Sequence, residues 1–489
     1  MKSRILSLAS DTIVYGSFTV FGRFLTFFLT PIYSNYLTVS ENGVITYIYS
    51  LIAFMNIILS IGMDSAFFRF YKKDDIEHNI KVFSHSYLTI LTFSASITLI
   101  IILGSGNFSV LVPELKNSGE IILLAALIPF LDSLIIIPFS LLRMERKALK
   151  FSLTRLANII VAIFLNVLFV IILRKGIYGV FLAQVLASLT SIIIVSPEIK
   201  QYLRIKFDKN LLKEMFKFGI PTIPAAMFSI ILQVVDRPIL MFLTDSYQVG
   251  IYSVNYKLGI PMMILVAVFE YAWKPFYLSR FEDKDAKELF SRILTFFIIV
   301  SSFVFLGTVF FMDFIVRIPF IGGRFINPAF WVGLDLIPLV LTAYFFNGMF
   351  INFACGPYIT KKTNYLPLAI GTGAIIKISF NFLLIPYIGY YGAGISSIIG
   401  YLASAIVLLI INKKIYPIEY NWGKIVLIIL FVVIYYILGI YLTRDADLII
   451  SLIIRICLII AFGVTIILSR IITKSEIDKI KTLIFSKKN

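Results

Sequence analysis

VGIYSVNYKL, residues 249–258, echoes NGVITYIYSL, residues 42–51. A proline precedes each at the same distance, Pro31 before Gly43 and Pro238 before Gly250, so the two copies are offset by 207 residues. LIP at 127–129 matches LIP at 336–338. Asn166 stands before GIYG (176–179) much as Asn381 stands before GYYG (389–392), and the offset drifts to 215 as small insertions would make it. Echoes that keep one order point to a duplication, so the two halves should share one fold.

Composition sets what is duplicated. Hydrophobic residues make up 59% of the 489 and charged residues only 15%, whereas about a quarter of a soluble domain is charged. The chain is therefore read as an integral membrane protein. A helix needs roughly 20 apolar residues to cross the hydrocarbon. That criterion, with Gly, Pro and charge as breakers, predicts fourteen spans: 11–34, 43–66, 83–104, 120–142, 152–173, 177–197, 219–243, 249–272, 291–313, 332–356, 365–386, 390–411, 424–443 and 447–469. The N-terminal apolar run lacks a small-residue cleavage site and reads as the first span rather than a removed signal. Cys355 and Cys457 both lie in apolar runs and read as small buried hydrophobes, not as a disulfide or metal framework.

Charge orients the spans. Of the 44 Lys and Arg, 33 fall in segments on the side of the N-terminus, six on the other side and five within spans. Short loops rich in Lys and Arg stay in the cytoplasm, so both termini are expected there, in a cell inner membrane. The net charge of +17 then reflects topology and contact with anionic lipid, with no need for a nucleic-acid partner. Six spans per copy is an even number, so both copies enter the membrane in the same direction, as a parallel repeat. The expected architecture is all-α. It has an N-terminal six-helix lobe (1–217), a C-terminal six-helix lobe (218–412), and two further helices with a basic tail (413–489).

Two stretches carry a family resemblance. TPIYSNYLTVSENGVITYIYSLIAFMNIILSIGMDSAFFRFY (30–71) and DRPILMFLTDSYQVGIYSVNYKLG (236–259) resemble the polysaccharide-biosynthesis, or O-antigen repeat-unit, flippases of the multidrug/oligosaccharidyl-lipid/polysaccharide exporter superfamily. The resemblance covers the first twelve spans, and fourteen suits the oligosaccharide branch. It implies export of a lipid-linked oligosaccharide, possible coupling to H⁺ or Na⁺, no cofactor, and polysaccharide-assembly proteins as possible partners. The superfamily also holds the lipid II flippase and the multidrug and toxin extruders.

Charges within spans are the candidate site, because an intramembrane charge costs at least about 2.5 kcal/mol and usually faces protein or a watery cavity. Arg23, Arg237, Lys257 and Lys377 are four such cations drawn from both halves. Together they suit a diphosphate, whose oxygens match the planar fork of Arg. The resemblance supports two of them: the lipid II flippase lines its cavity with cations from the first, second and eighth helices. Arg23 and Lys257 fit the first and eighth, while the second span offers Asn56, Ser60 and Asp64 instead. Asp236 and Arg237 are neighbours that point about 100° apart on an ideal helix, so a simple mutual clasp is not expected. Asp132, Asp236 and Asp64 are the acids that could pair with cations or couple to an ion. His78 and His85 read as interfacial, and Arg455 is placed either against Asp447 or on a groove wall.

Enzymatic readings are weaker. No GxxxxGK[ST] phosphate loop is present. A membrane glycosyltransferase or polymerase would want acids on a substantial outer loop, but Asp445 and Asp447 sit on a short one. A drug-cation extruder, the closer alternative, would want acids rather than four cations facing its cavity.

Overall fold

The computed structural model describes residues 21–22, 24–104, 119–204 and 208–471. Among these, twelve helices are long and apolar enough to cross a membrane, and one bent pair makes thirteen. The expected first span, 11–34, is described from residue 21 onward except at Arg23, and it ends in α1 (Leu29–Tyr36). The first half continues through α2 (Val39–Ser60), α3 (Met63–Phe70), α4 (Ile76–Leu103), α5 (Gly119–Met144), α6 (Ala148–Asn166) and α7 (Gly176–Tyr202). The second half runs through α8 (Lys209–Gly219), α9 (Ile223–Val234), α10 (Asp236–Leu243), α11 (Ser246–Lys257), α12 (Ile260–Arg280) and α13 (Ala286–Ile315). A hairpin of β1 (Pro319–Phe320) and β2 (Gly323–Arg324) follows, then α14 (Ile337–Phe353), α15 (Cys355–Ile359), α16 (Tyr365–Ile388), α17 (Tyr390–Ile415), α18 (Trp422–Thr443) and α19 (Leu448–Leu468).

Each half buries its own core. One first-half set of buried side chains runs from Ile32 to Val185 and another from Met63 to Tyr202, the latter completed by Leu211 and Met215 of α8. The second half's core gathers Ile239 to Ile471, with Val39 the one buried residue it borrows from the first half. Ile428 of α18 and Phe462 of α19 belong to that second core, so the last two helices pack on the C-terminal lobe. Their remaining apolar surface, including Val426, Ile449 and Leu468, is exposed, as suits helices facing lipid.

Two expected spans are broken. The seventh, expected over 219–243, interrupts at Val235 between α9 and α10, three residues before Pro238, which lacks an N–H. The eighth, expected unbroken over 249–272, bends by 54° between α11 and α12. There Gly259 opens the second segment and Pro261, lacking an N–H, occupies its first turn. Each break lies beside an intraspan charge, Asp236 and Arg237 after Val235 and Lys257 before Gly259.

The lobes meet where α2 crosses α11. A Cβ on Gly43 would lie 1.8 Å from the Ser246 carbonyl oxygen, and a Cβ on Gly250 would lie 2.0 Å from that of Val39. Only glycine permits this approach. The pairs are related by the repeat itself, since Val39 and Gly43 become Ser246 and Gly250 under the 207-residue offset. Nearby, the hairpin of the C-terminal lobe grips the end of α1. Asn35 Nδ2 donates to the Arg324 carbonyl at 2.6 Å, the Asn327 amide donates to Ser34 Oγ at 3.4 Å, and the rings of Phe27 and Phe325 are 5.9 Å apart. At the far end of α2, Gly62 (φ +67°) meets Gly219, and each would place a Cβ within 2.6 Å of the other's carbonyl oxygen.

Candidate functional site

Between the lobes lies a cavity of about 960 Å³. The first lobe lines it with residues of the first span, α2, α5, α6 and α7; the second contributes Arg237, Tyr256, Lys257, Ile260, Met263 and Tyr344.

The break at Val235 places the second lobe's charges. Asp236 opens α10 fully buried, and both of its oxygens are occupied by protein donors. Arg237 Nη1 reaches Oδ1 at 2.8 Å. Lys377 Nζ reaches Oδ2 at 3.3 Å, Ser397 Oγ donates to the same oxygen at 3.4 Å, and the Tyr252 hydroxyl also donates to it. The doublet therefore does clasp, contrary to the ideal-helix expectation. The long guanidinium folds back over the break, donating to the Gln233 carbonyl at 2.6 Å while holding the carboxylate. Its other face lies 4.4 Å from the Tyr256 ring centre, an electrostatically favourable stack.

The four expected cavity cations separate. Arg237 and Lys257 line the cavity, and Lys257 is exposed to it. Lys377 is wholly buried behind the wall, donating to the Leu232 carbonyl at 2.8 Å as well as to Asp236. Arg23 lies outside the described residues. Arg155 of α6 joins the lining, its guanidinium 5.1 Å from the Phe151 ring. The charge count places Arg155 with a basic loop, although the expected span 152–173 contains it. Its place seven residues into α6 was the available signal.

Among the acids, Asp132 lines the cavity and accepts from Ser188 Oγ at 2.7 Å. Asp64 sits in the first turn of α3 and is not among the lining residues. Two other expectations change. Arg455 bonds elsewhere than to Asp447: it donates to the Phe310 carbonyl at 2.7 Å and to Thr443 Oγ1 at 3.2 Å, tying α19 to α13 and α18. His85 is buried, where its Nε2 accepts from the Asp208 amide at 2.8 Å, so it anchors the connection into the second lobe. His78 Nε2 lies 3.0 Å from the Phe70 carbonyl. Cys355 is buried as expected, whereas Cys457 is exposed on α19.

Comparison with known proteins agrees with this architecture. A lipid II flippase, MurJ, in an inward closed conformation superposes with a TM-score of 0.75 at 18% identity, covering 94% of this chain and 99% of that one. An inward-facing multidrug resistance transporter of the MATE family superposes with a TM-score of 0.63 at 15% identity, covering 80% and 94%. Its outward-facing counterpart gives 0.56 at 16% identity, covering 84% and 94%. A sequence search of curated proteins finds no match. The family model described as polysaccharide biosynthesis protein matches residues 34–325, more than half of the 489. The chain is thus a multi-pass membrane protein of the flippase and transporter fold, and it belongs to the polysaccharide biosynthesis protein family.

Proposed function

We propose that this protein is a flippase that moves polyprenyl-diphosphate-linked oligosaccharide repeat units from the inner to the outer leaflet of the cytoplasmic membrane, by alternating access of its two lobes. The observation that carries this reading is the inter-lobe cavity with Arg237 and Lys257 on its wall. A diphosphate offers acceptor oxygens and negative charge, and these cations supply donors and positive charge in a partly desolvated space. Arg155 adds to the same field, and Arg23 is proposed as a further cation for the cargo. The polyprenyl tail stays in lipid while the headgroup crosses through the cavity. The lobes of 1–217 and 218–412 then rock about the α2–α11 crossing, with both termini cytoplasmic. The hairpin end faces outward in this reading, and its contacts with the end of α1 hold the lobes together on that side.

The test is complementation. Cells lacking the gene should accumulate lipid-linked oligosaccharide on the inner leaflet, and the wild-type chain should clear it. Clearance should fail with Arg237→Ala at normal protein levels. Resistance to cationic drugs on expression, with no change in lipid-linked oligosaccharide, would move the protein to the extruder branch that the MATE likeness also fits.

A further inference from the structure

Arg237 stands between the cavity and a buried acid. Its side chain, 10% exposed, lines the cavity, whereas the side chains of Asp236 and Lys377 behind it are fully buried. A ligand in the cavity can therefore reach the guanidinium but neither of the other two. A carboxylate 2.8 Å from Arg237 would by itself cancel most of its pull on such a ligand, because two opposite charges in contact act on a third only weakly. Arg155, Lys257 and Asp132 also line the cavity. Without Arg237 these described lining residues carry one net positive charge, so the state of Arg237 decides between one and two.

Lys377 supplies the missing counter-charge. The two oxygens of Asp236 are divided: Oδ1 takes Arg237, while Oδ2 takes Lys377 at 3.3 Å together with Ser397 Oγ and the Tyr252 hydroxyl. Lys377 Nζ is fixed there by the Leu232 carbonyl at 2.8 Å. The adjacent helix makes room for it, since a Cβ on Gly400 of α17 would lie 2.8 Å from Lys377 Cβ. With the ammonium included, the cluster of Asp236, Arg237 and Lys377 is net positive, and Arg237 is the member that faces the cavity. Among the described residues, the hydrogen bonds of its guanidinium leave from Nη1, to Asp236 and to the Gln233 carbonyl. Its remaining N–H groups are open to an anion.

We propose that Lys377 is a positioning residue for the diphosphate: without touching it, the ammonium neutralises Asp236 from behind and so leaves the charge of Arg237 to the cavity. The inference rests on the lipid-diphosphate reading and deepens it. It gives a wholly buried lysine a part in recognition at a distance, and it separates the cation that meets the cargo from the cation that makes this possible.

The test uses the purified full chain in lipid nanodiscs. The probes are farnesyl diphosphate, farnesyl monophosphate and farnesol, which share a tail and differ in charge. Lys377→Met should weaken diphosphate binding about tenfold, as one lost charge in a partly desolvated space allows. It should weaken monophosphate binding less and leave farnesol binding unchanged. Lys377→Gln keeps a donor for the Leu232 carbonyl without the charge, and it should lose as much. Asp236→Asn with Lys377→Met restores the net charge of the cluster and should restore diphosphate binding. A lysine that only braces the fold predicts equal losses for all three probes. Wild-type diphosphate affinity in either single variant, equal losses across the probes, or no recovery in the double variant overturns the role of Lys377 while leaving diphosphate recognition standing. Failure of wild type to bind farnesyl diphosphate more tightly than farnesol removes the lipid-diphosphate reading and this inference with it.

Discussion

Asp236 is one carboxylate shared between two tethered cations, Arg237 and Lys377, in a pocket closed to solvent on the Lys377 side. Its removal and theirs are therefore not equivalent. Asp236→Ala leaves two buried positive charges facing each other, and breaking a buried pair in this way costs about 3–5 kcal/mol. Lys377→Met leaves a one-to-one pair and fills the space with apolar volume, so it should cost far less. The double variant Asp236→Asn with Lys377→Met keeps the net charge of the cluster and should recover part of the Asp236 loss. Thermal unfolding of the detergent-solubilised variants checks this order, and equal losses for Asp236→Ala and Lys377→Met would contradict the shared-carboxylate account. Arg237 adds a second demand, because its fork serves Asp236, the Gln233 carbonyl and the Tyr256 ring at once. Arg237→Lys keeps the charge and loses the fork, so transport should fall while insertion holds, measured as export per copy of membrane-inserted protein. The presence of charge at these positions was legible in the sequence. Its division of labour was not, since Lys377 finds its acid 141 residues away along the chain and no spacing rule reports such a pair.

Elements here are interrupted where the site needs them to be. The break at Val235 turns Asp236 inward and lets Arg237 fold back, and the bend at Gly259 carries α11 away from α12 beside Lys257. Apolar runs and loop charge revealed the spans because burial in lipid demands them. They set the ends of the spans but not the angle at Val235 or at Gly259, which depends on how the segments pack. The α2–α11 crossing was half visible, as two matching glycines, and its close backbone contact emerged only from packing. At that crossing a side chain cannot be accommodated. Gly43→Leu or Gly250→Leu should force the helices apart, raising labelling of a cysteine introduced at Thr46 by a membrane-impermeant reagent. Unchanged labelling would mean that the crossing yields without opening. Entry into the second lobe depends on a cap: Asp208 accepts from the Asn210 and Leu211 amides, and those bonds hold its carboxyl below the usual carboxylate range. Asp208→Ala should lower the unfolding temperature, as cap removals do.

For the whole molecule, the repeat makes one prediction about sidedness and one about motion. Cysteines introduced at Lys209 and Lys284 should stay unlabelled by impermeant reagents in intact cells, and strong labelling there would invert the topology. Rocking of the lobes must release the Asn35–Arg324 contact in every cycle. Joining Asn35→Cys to Arg324→Cys should halt transport and reduction should restore it, and full transport by the joined protein would show that the hairpin travels with both lobes. That hairpin is only a few residues of backbone, yet it fastens one body to the other at the face that the proposed topology turns outward. An antibody fragment shaped to clasp Gly322 and Tyr36 together would never need to reach the cavity or cross a bilayer. It would arrest the machine from outside, as a wedge in a hinge stops a door.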